Sequence, residues 1–394
     1  MKQLKLTLLA VAALLLVLPA QAADWYVCES TGSNRNEGTK ASPFKNIQKA
    51  VNVAENGDVI RVAEGNYFGL LDCGNIKITK GVSIYGGYSA DFSERDVLRH
   101  RTLVQPTATS NGSAQGQGTV QIDVRESGTL VLLDGLIMDR GNSVAYNANG
   151  EGQPAGVETP MMNPIGTAGK GAPGVPEAKV YTTETAIVYI NTGAKCDVTI
   201  RNCAFLNGPN YGLFGSTFGT TVTVDNCIFV NIRIAAIELR GASSAKNSRT
   251  VLNRSTILFS WSRLKYFDDM GYGFRFMPRT DSRLTGNVIG CSVATSLDRS
   301  LVDSPAAGAA SETTCENTLF FLNRLDDGTQ LAGTGNREVD ASVLGDRINA
   351  AYLAGFIAST AENPTGKMFA NHYPVEDALK LFGANPGYGA QLPE

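Results

Sequence analysis

Residues 233–299 hold eleven lysines and arginines against five acids, in a chain of 394 residues whose formal net charge is −3. Such a surplus sets up a local positive field that favours an anionic partner. Inside it, Ile237-Glu-Leu-Arg240 and Gly273-Phe-Arg-Phe-Met277 alternate with the period of a strand, so Ile237 and Leu239 face a core while Glu238, Arg240 and Arg275 face outward. Phe214 and Tyr189 extend the outward set from two preceding segments of the same type. Aromatic faces stack sugar rings, and guanidinium forks clamp carboxylates at two points, which suits a uronic acid. β-Elimination from a uronate needs its carboxylate neutralised, a base for the C5 proton and an acid for the leaving oxygen, and arginine, lysine and tyrosine can supply these without histidine. The expected catalytic set is therefore Glu238, Arg240, Arg275, Lys265 and Tyr272, with Tyr189, Phe214, Arg263 and Arg279 on the substrate. Asp268-Asp269 is the candidate Ca²⁺ pair, a cation that would also neutralise a uronate. The plainer explanation is a set of solvated turn residues and surface ion pairs, each worth under about 1 kcal/mol.

The elements that must position these groups form a repeat. Val198-Thr-Ile-Arg-Asn-Cys203-Ala-Phe205-Leu-Asn207 recurs as Val222-Thr-Val-Asp-Asn-Cys227-Ile-Phe229-Val-Asn231, each matched position offset by 24 residues. Looser copies begin at Leu130, Val251, Arg283 and Cys315. Each is a short strand, a polar break and a second short strand, and between the copies lies a third strand of the type that carries Glu238. Short strands phased at twenty-odd residues, with glycine and asparagine at the breaks, predict an all-β parallel solenoid. One coil adds one rung to each sheet, inward side chains stack on their own copies, and Asn202 and Asn226 bond along a turn ladder. A β-sandwich would favour hairpin turns and would not predict the phased repeat. Open solenoid ends need covers. An amphipathic helix over residues 43–51 is the N-terminal candidate, and helical patterns over 346–359 and 375–382 are the C-terminal ones.

Two stretches carry a family resemblance. Trp25-Tyr-Val, Gly32-Ser-Asn-Arg-Asn-Glu-Gly38, Pro43-Phe-Lys-Asn-Ile-Gln-Lys-Ala-Val51 and Asn56-Gly-Asp58 through Tyr67 resemble the N-terminal unit of secreted right-handed parallel β-helix proteins of the pectate-lyase-like superfamily. Tyr85-Gly-Gly-Tyr88 followed by Glu94-Arg-Asp96 is similar to the YGG…ERD stretch of exported bacterial β-helix proteins. The close match covers roughly 24–105. It implies a right-handed, single-stranded parallel β-helix and leaves activity open, because the superfamily holds lyases, epimerases, hydrolases, spikes and adhesins. For this architecture the anionic partner expected is an acidic polysaccharide, with a lyase or C5-epimerase reaction; the competing expectation is a non-catalytic surface scaffold, matrix protein or adhesin.

The rest of the chain sets bounds. Lys2 and Lys5, the apolar run 6–18 and Ala20-Gln-Ala22 read as a secretory signal peptide cut after Ala22, so the protein is expected in the periplasm, on the outer surface or outside the cell. The expected organisation is signal peptide 1–22, β-helix 23–345 with a capping unit at 24–105, and a helical C-terminal cap 346–394. Residues 141–180, with eight glycines and five prolines, read as a loop thrown out from one coil. Export permits disulfides, and Cys28 with Cys73 is the expected pair among seven cysteines. Only His100 and His372 are present, which excludes a multi-histidine metal site, and the net charge excludes a wholesale basic nucleic-acid binder.

Overall fold

A computed structural model describes residues 22–68, 76–105, 118–126, 128–140, 146–149, 161–164, 186–193, 196–208, 210–243, 245–261, 271–303, 310–325, 333–362 and 373–393. Residues 1–21, all but the last of the expected signal peptide 1–22, and most of 141–180 lie outside them; within the latter, Tyr146–Asn149 pairs antiparallel with Met161–Pro164. Elsewhere the chain winds through three parallel sheets of nine, nine and seven strands. The first runs from Asp24–Val27 to Thr313–Glu316, the second from Gly65–Tyr67 to Arg337–Glu338 and the third from Ile76–Ile78 to Thr295–Asp298. This is a right-handed parallel β-helix, the hand that a strand–crossover–parallel-strand path takes.

The repeat sets the register. Val198 pairs with Val222 and Phe205 with Phe229, and the two phenyl rings stack with centroids 4.2 Å apart in the core. The break between first-sheet and second-sheet strands is made by asparagines at positive φ, 52° at Asn202 and 55° at Asn226, a region that asparagine tolerates better than other non-glycine residues. Asn226 Nδ2 donates to Asn202 Oδ1 at 2.7 Å, and Asn202 Nδ2 donates to Asp134 Oδ1 at 2.9 Å, so the expected ladder forms. Its N-terminal rung is locked by the ERD arginine. Arg95 donates through Nε to Gly86 O and through Nη2 to the fully buried Asp134, with its guanidinium over the Tyr85 and Tyr88 rings. A side chain at position 86 would meet Gly135 O at 2.4 Å, which explains the glycine.

Two expectations about the ends change. The N-terminal helix is Ile47–Val53, not 43–51, because Phe44 is drawn into the sheet ladder: Phe44 N donates to Tyr26 O and Cys28 N donates to Phe44 O. The C-terminal helices, Ala350–Glu362 and Val375–Leu379, expected as an end cap, pack on the outward face of the second sheet. That face is apolar as well as its inward one: Leu206, Val230 and Leu258 point out while Phe205, Phe229 and Ile257 point in. Tyr352, Phe356, Tyr373, Leu379 and Phe382 cover it. Tyr373 N donates to Asn207 Oδ1 at 2.6 Å and Gln391 N to Asn226 Oδ1 at 2.6 Å, so the segment runs as a strap along the solenoid.

The six described cysteines, at 28, 196, 203, 227, 291 and 315, are buried free thiols. Cys28 Sγ lies 3.4 Å from Ser30 Oγ, and Cys73 lies outside the described residues, so the expected Cys28–Cys73 disulfide has no support here. Burial pushes the Cys227 thiol well up, which suits a core side chain rather than a nucleophile. Among the described residues no helix is long and apolar enough to cross a membrane.

Candidate functional site

The strand Ala235–Gly241 buries Ile237 and Leu239 in the solenoid core, so parity turns Glu238 and Arg240 outward. Register then builds a column across the third sheet. Lys77 pairs with Gln121, Gln121 with Tyr189, Tyr189 with Phe214, Phe214 with Glu238, Glu238 with Arg275, and Arg275 with Asp298. Rungs about 4.8 Å apart put these groups in line along the helix axis. Four residues expected at the site, Tyr189, Phe214, Glu238 and Arg275, therefore lie on consecutive rungs, and Arg240 joins them from two residues along.

The column is locked by charge. Glu238 is fully buried although it faces outward. Arg240 donates to its Oε1 through Nε at 3.0 Å and Nη2 at 2.6 Å, and Arg275 Nη1 donates to its Oε2 at 3.3 Å. Arg275 Nε reaches on to Asp298 Oδ2 at 2.6 Å. Burial works against the Arg275 charge, but Glu238 and Asp298 more than offset it, and the guanidinium holds its proton more tightly than usual. The Glu238 carboxylate is thus hidden, with both oxygens held by the two arginines.

What faces solvent is the rest of the cluster. The Tyr211 and Phe214 rings stack at 4.3 Å, Tyr189 lies 6.1 Å from Phe214, and the Arg240 guanidinium sits over Phe214 at 5.3 Å. The Arg240 side chain is 50% exposed while the carboxylate it holds is hidden, so this patch presents its positive end. Burial and the neighbouring Glu238 carboxylate push the Tyr211 phenol up to about 12, keeping it a neutral donor. Tyr272 supplies a ring under the Arg275 guanidinium at 5.0 Å.

Other expected residues fall elsewhere. Arg279 stands exposed at φ 61° on the turn that leads into the first sheet, its backbone against Gly241 at the end of the Glu238 strand rather than in the column. Lys265, Arg263, Asp268 and Asp269, and with them the calcium expectation, belong to the connection that enters the Arg275 strand and lie outside the described residues. Among the described residues no group of three metal-ligating side chains occurs. Two members of the cluster were missed. Asp298 ends Thr295-Ser-Leu-Asp298, whose Leu297 is buried, so the same parity rule one coil on would have found it. Tyr211 opens the Phe214 strand, three positions before Phe214; strict alternation would set the two on opposite faces, but Gly212 and Leu213 are both buried and the Tyr211 ring stacks on Phe214.

A separate cleft lies away from this column. A space of about 1130 Å³ lies over the outward face of the first sheet and includes Arg249, Asp281, Arg283 and Tyr388. The +6 stretch of the sequence thus divides between faces: Arg240 and Arg275 stand on the third sheet, Arg249 and Arg283 on the first with Arg254 on the turn at its edge, and Arg233 is wholly buried.

Residues 30–134 match a family described as "Protein of unknown function (DUF1565)". Comparison with curated protein sequences finds no match. Among solved structures the chain is similar to pectate lyase Pel9A at 13% identity, with 82% of this chain and 78% of that one covered and a TM-score of 0.43. It is similar to a pectin methylesterase from Aspergillus niger at 12% identity, covering 82% and 87%, TM-score 0.37, and to a rhamnogalacturonan lyase at 12% identity, covering 77% and 69%, TM-score 0.39.

Proposed function

We propose that this protein is exported by its first 22 residues and engages an acidic polysaccharide along the outward column of the third sheet. The glycan lies parallel to the solenoid axis. Sugar rings rest on Tyr189 and Phe214, the exposed edge of Arg240 takes a carboxylate, and Lys77, exposed at the N-terminal end of the column, takes another. The observation that carries this reading is the Tyr189–Phe214–Tyr211 platform with a half-exposed guanidinium over it. Stacking and cation–π contacts of this kind contribute about 0.5–1 kcal/mol each at exposed sites, enough for binding only when several rungs act together.

The reading is one of recognition. β-Elimination or C5 epimerisation would need a base other than Glu238, and Lys265, in the connection feeding the Arg275 strand, is our nominee. The test is titration of the mature protein with polygalacturonate and with alginate. Binding by at least one, weakened about tenfold by Phe214→Ala and falling as salt rises from ~0.05 to ~0.5 M, is expected. No binding of either polymer would sink the reading. Unsaturated-uronate absorbance that grows with time would add the lyase reaction, and its loss in Lys265→Ala would assign the base.

A further inference from the structure

The cleft over the first sheet is built from outward positions of four successive rungs, Thr221–Asp225, Ser248–Asn253, Thr280–Thr285 and Thr313–Glu316. Register fixes its floor as a grid. Arg249 faces Asp281, Val251 faces Arg283 and Asn253 faces Thr285, while Thr285 in turn faces Glu316. One wall is the Arg254–Asp225 pair, joined at 2.6 Å and 3.1 Å. The wall beside it is the C-terminal tail at Gly387 and Tyr388. The tail is pinned there: Gly389 N donates to Gly286 O at 2.8 Å, and the Tyr388 ring lies under the Arg337 guanidinium at 5.5 Å with its hydroxyl accepting from Nη2.

The charge here differs in kind from that of the third sheet. There the carboxylate is hidden and the guanidinium shows. Here both signs face the cleft: the Arg283 and Glu316 side chains, 3.7 Å apart, are 63% and 36% exposed, and Glu312 is exposed as well. Three arginines stand against four carboxylates. A second hollow of about 180 Å³ shares Arg249 and Asp281 and adds Lys246, which evens the balance. A polyanion therefore meets repulsion as well as attraction. A polyhydroxylated, uncharged ligand meets fixed donors and acceptors of both kinds, which is what the vicinal hydroxyls of a sugar require, each being donor and acceptor at once. The cleft exceeds the ~300–1,000 Å³ of a typical small-molecule pocket, and its length across the rungs fits several rings rather than one.

We propose that this cleft is a second carbohydrate site, separate from the third-sheet column, which binds an uncharged oligosaccharide across the first-sheet rungs. Arg283, Glu316 and Asn253 hydrogen-bond its hydroxyls, and the Tyr388 edge flanks it. The two sites lie on different sheets, so one molecule can hold an acidic and a neutral glycan together.

The test is calorimetric titration of the mature protein with cellohexaose, xylohexaose, maltohexaose and chitohexaose. Binding of at least one, unchanged between ~0.05 and ~0.5 M salt, is expected. Arg283→Ala, at an exposed position, and Glu316→Gln, at a half-buried one, should each weaken it about tenfold, while Phe214→Ala leaves it unchanged. A flat titration with all four chains overturns the proposal. So does binding that fades with salt, or binding lost in Phe214→Ala and kept in Arg283→Ala. Since acidic polymers are read out at Phe214 and neutral ones at Arg283, either site can fail without the other.

Discussion

At the scale of single residues, the outcome turns on how buried charges are satisfied. Glu238 contributes by holding Arg240 and Arg275 in place, and its removal leaves two guanidiniums with less to bind. Glu238→Ala should cost about 2–3 kcal/mol, below the ~3–5 of a fully enclosed pair because half of Arg240 is in water. The shift of the urea midpoint measures it, and a midpoint unmoved from wild type would show the cluster to be ornamental. His100 is held from both sides, Nδ1 at 3.0 Å from Glu64 and Nε2 at 2.8 Å from Glu94, which itself bonds Arg99. Both contacts are hydrogen bonds only when the ring carries both protons. The Glu64 contact and then the Glu94 contact raise the His100 pKa above its ordinary value. The sign follows: this stabilisation is complete below the unfolded value near ~6.5, provided the carboxylates are ionised, and is lost as pH rises through the raised value. Wild type should melt about 1–3 °C above His100→Gln near pH ~5.5, and the gap should shrink as pH rises through the raised value. A gap that widens with pH would reverse the assignment.

At the scale of elements, the turn ladder joins successive coils. Asn226 needs positive φ, accepts from the tail at Gln391 and donates to Asn202. Asn226→Ala loses both the conformation and the bonds, about 2–3 kcal/mol together; Asn226→Gly keeps the conformation and should cost about 1 kcal/mol less. Equal losses in the two variants, compared by denaturant titration, would mean that φ carries no cost at this turn. The YGG…ERD stretch is the N-terminal end of the same ladder, because its arginine reaches Asp134. The motif is therefore accounted for by structure alone. Its chemistry was legible only as a family resemblance, since nothing local to Arg95 indicates a partner 39 residues on.

At the scale of the molecule, the strap covers an apolar face. The second sheet is apolar on both faces, and the C-terminal segment is what covers the outer one. Truncation before residue 341 should expose Leu206, Val230, Leu258 and Phe259 to water, giving dye-binding aggregates on size exclusion. A monodisperse truncated monomer would show that the strap is dispensable. Phe382→Ala, a milder test, should cost about 3–5 kcal/mol. The strap was expected as an end cap because its helical pattern shows that it must bury a face without showing which surface receives it. The uninterrupted apolar runs Ala204-Phe-Leu206 and Ile228-Phe-Val230 were the available clue: a strand buried on one side alternates, and these do not.

The amino-acid order by itself determined the solenoid, its coil length, the asparagine turns and which side chains point in or out. These follow from a local rule, alternation of period two, and from a repeat that sets each residue on its own copy. It also brought Glu238 beside Arg275, because register within the repeat is a counting problem. Only the tertiary structure decided that Glu238 is hidden rather than available, that the strap lies along a face, and that the first sheet carries a cleft of about 1130 Å³. Exposure of an outward side chain depends on what its neighbours 37 residues away and the tail more than 130 residues away lay over it, and no local pattern encodes those contacts.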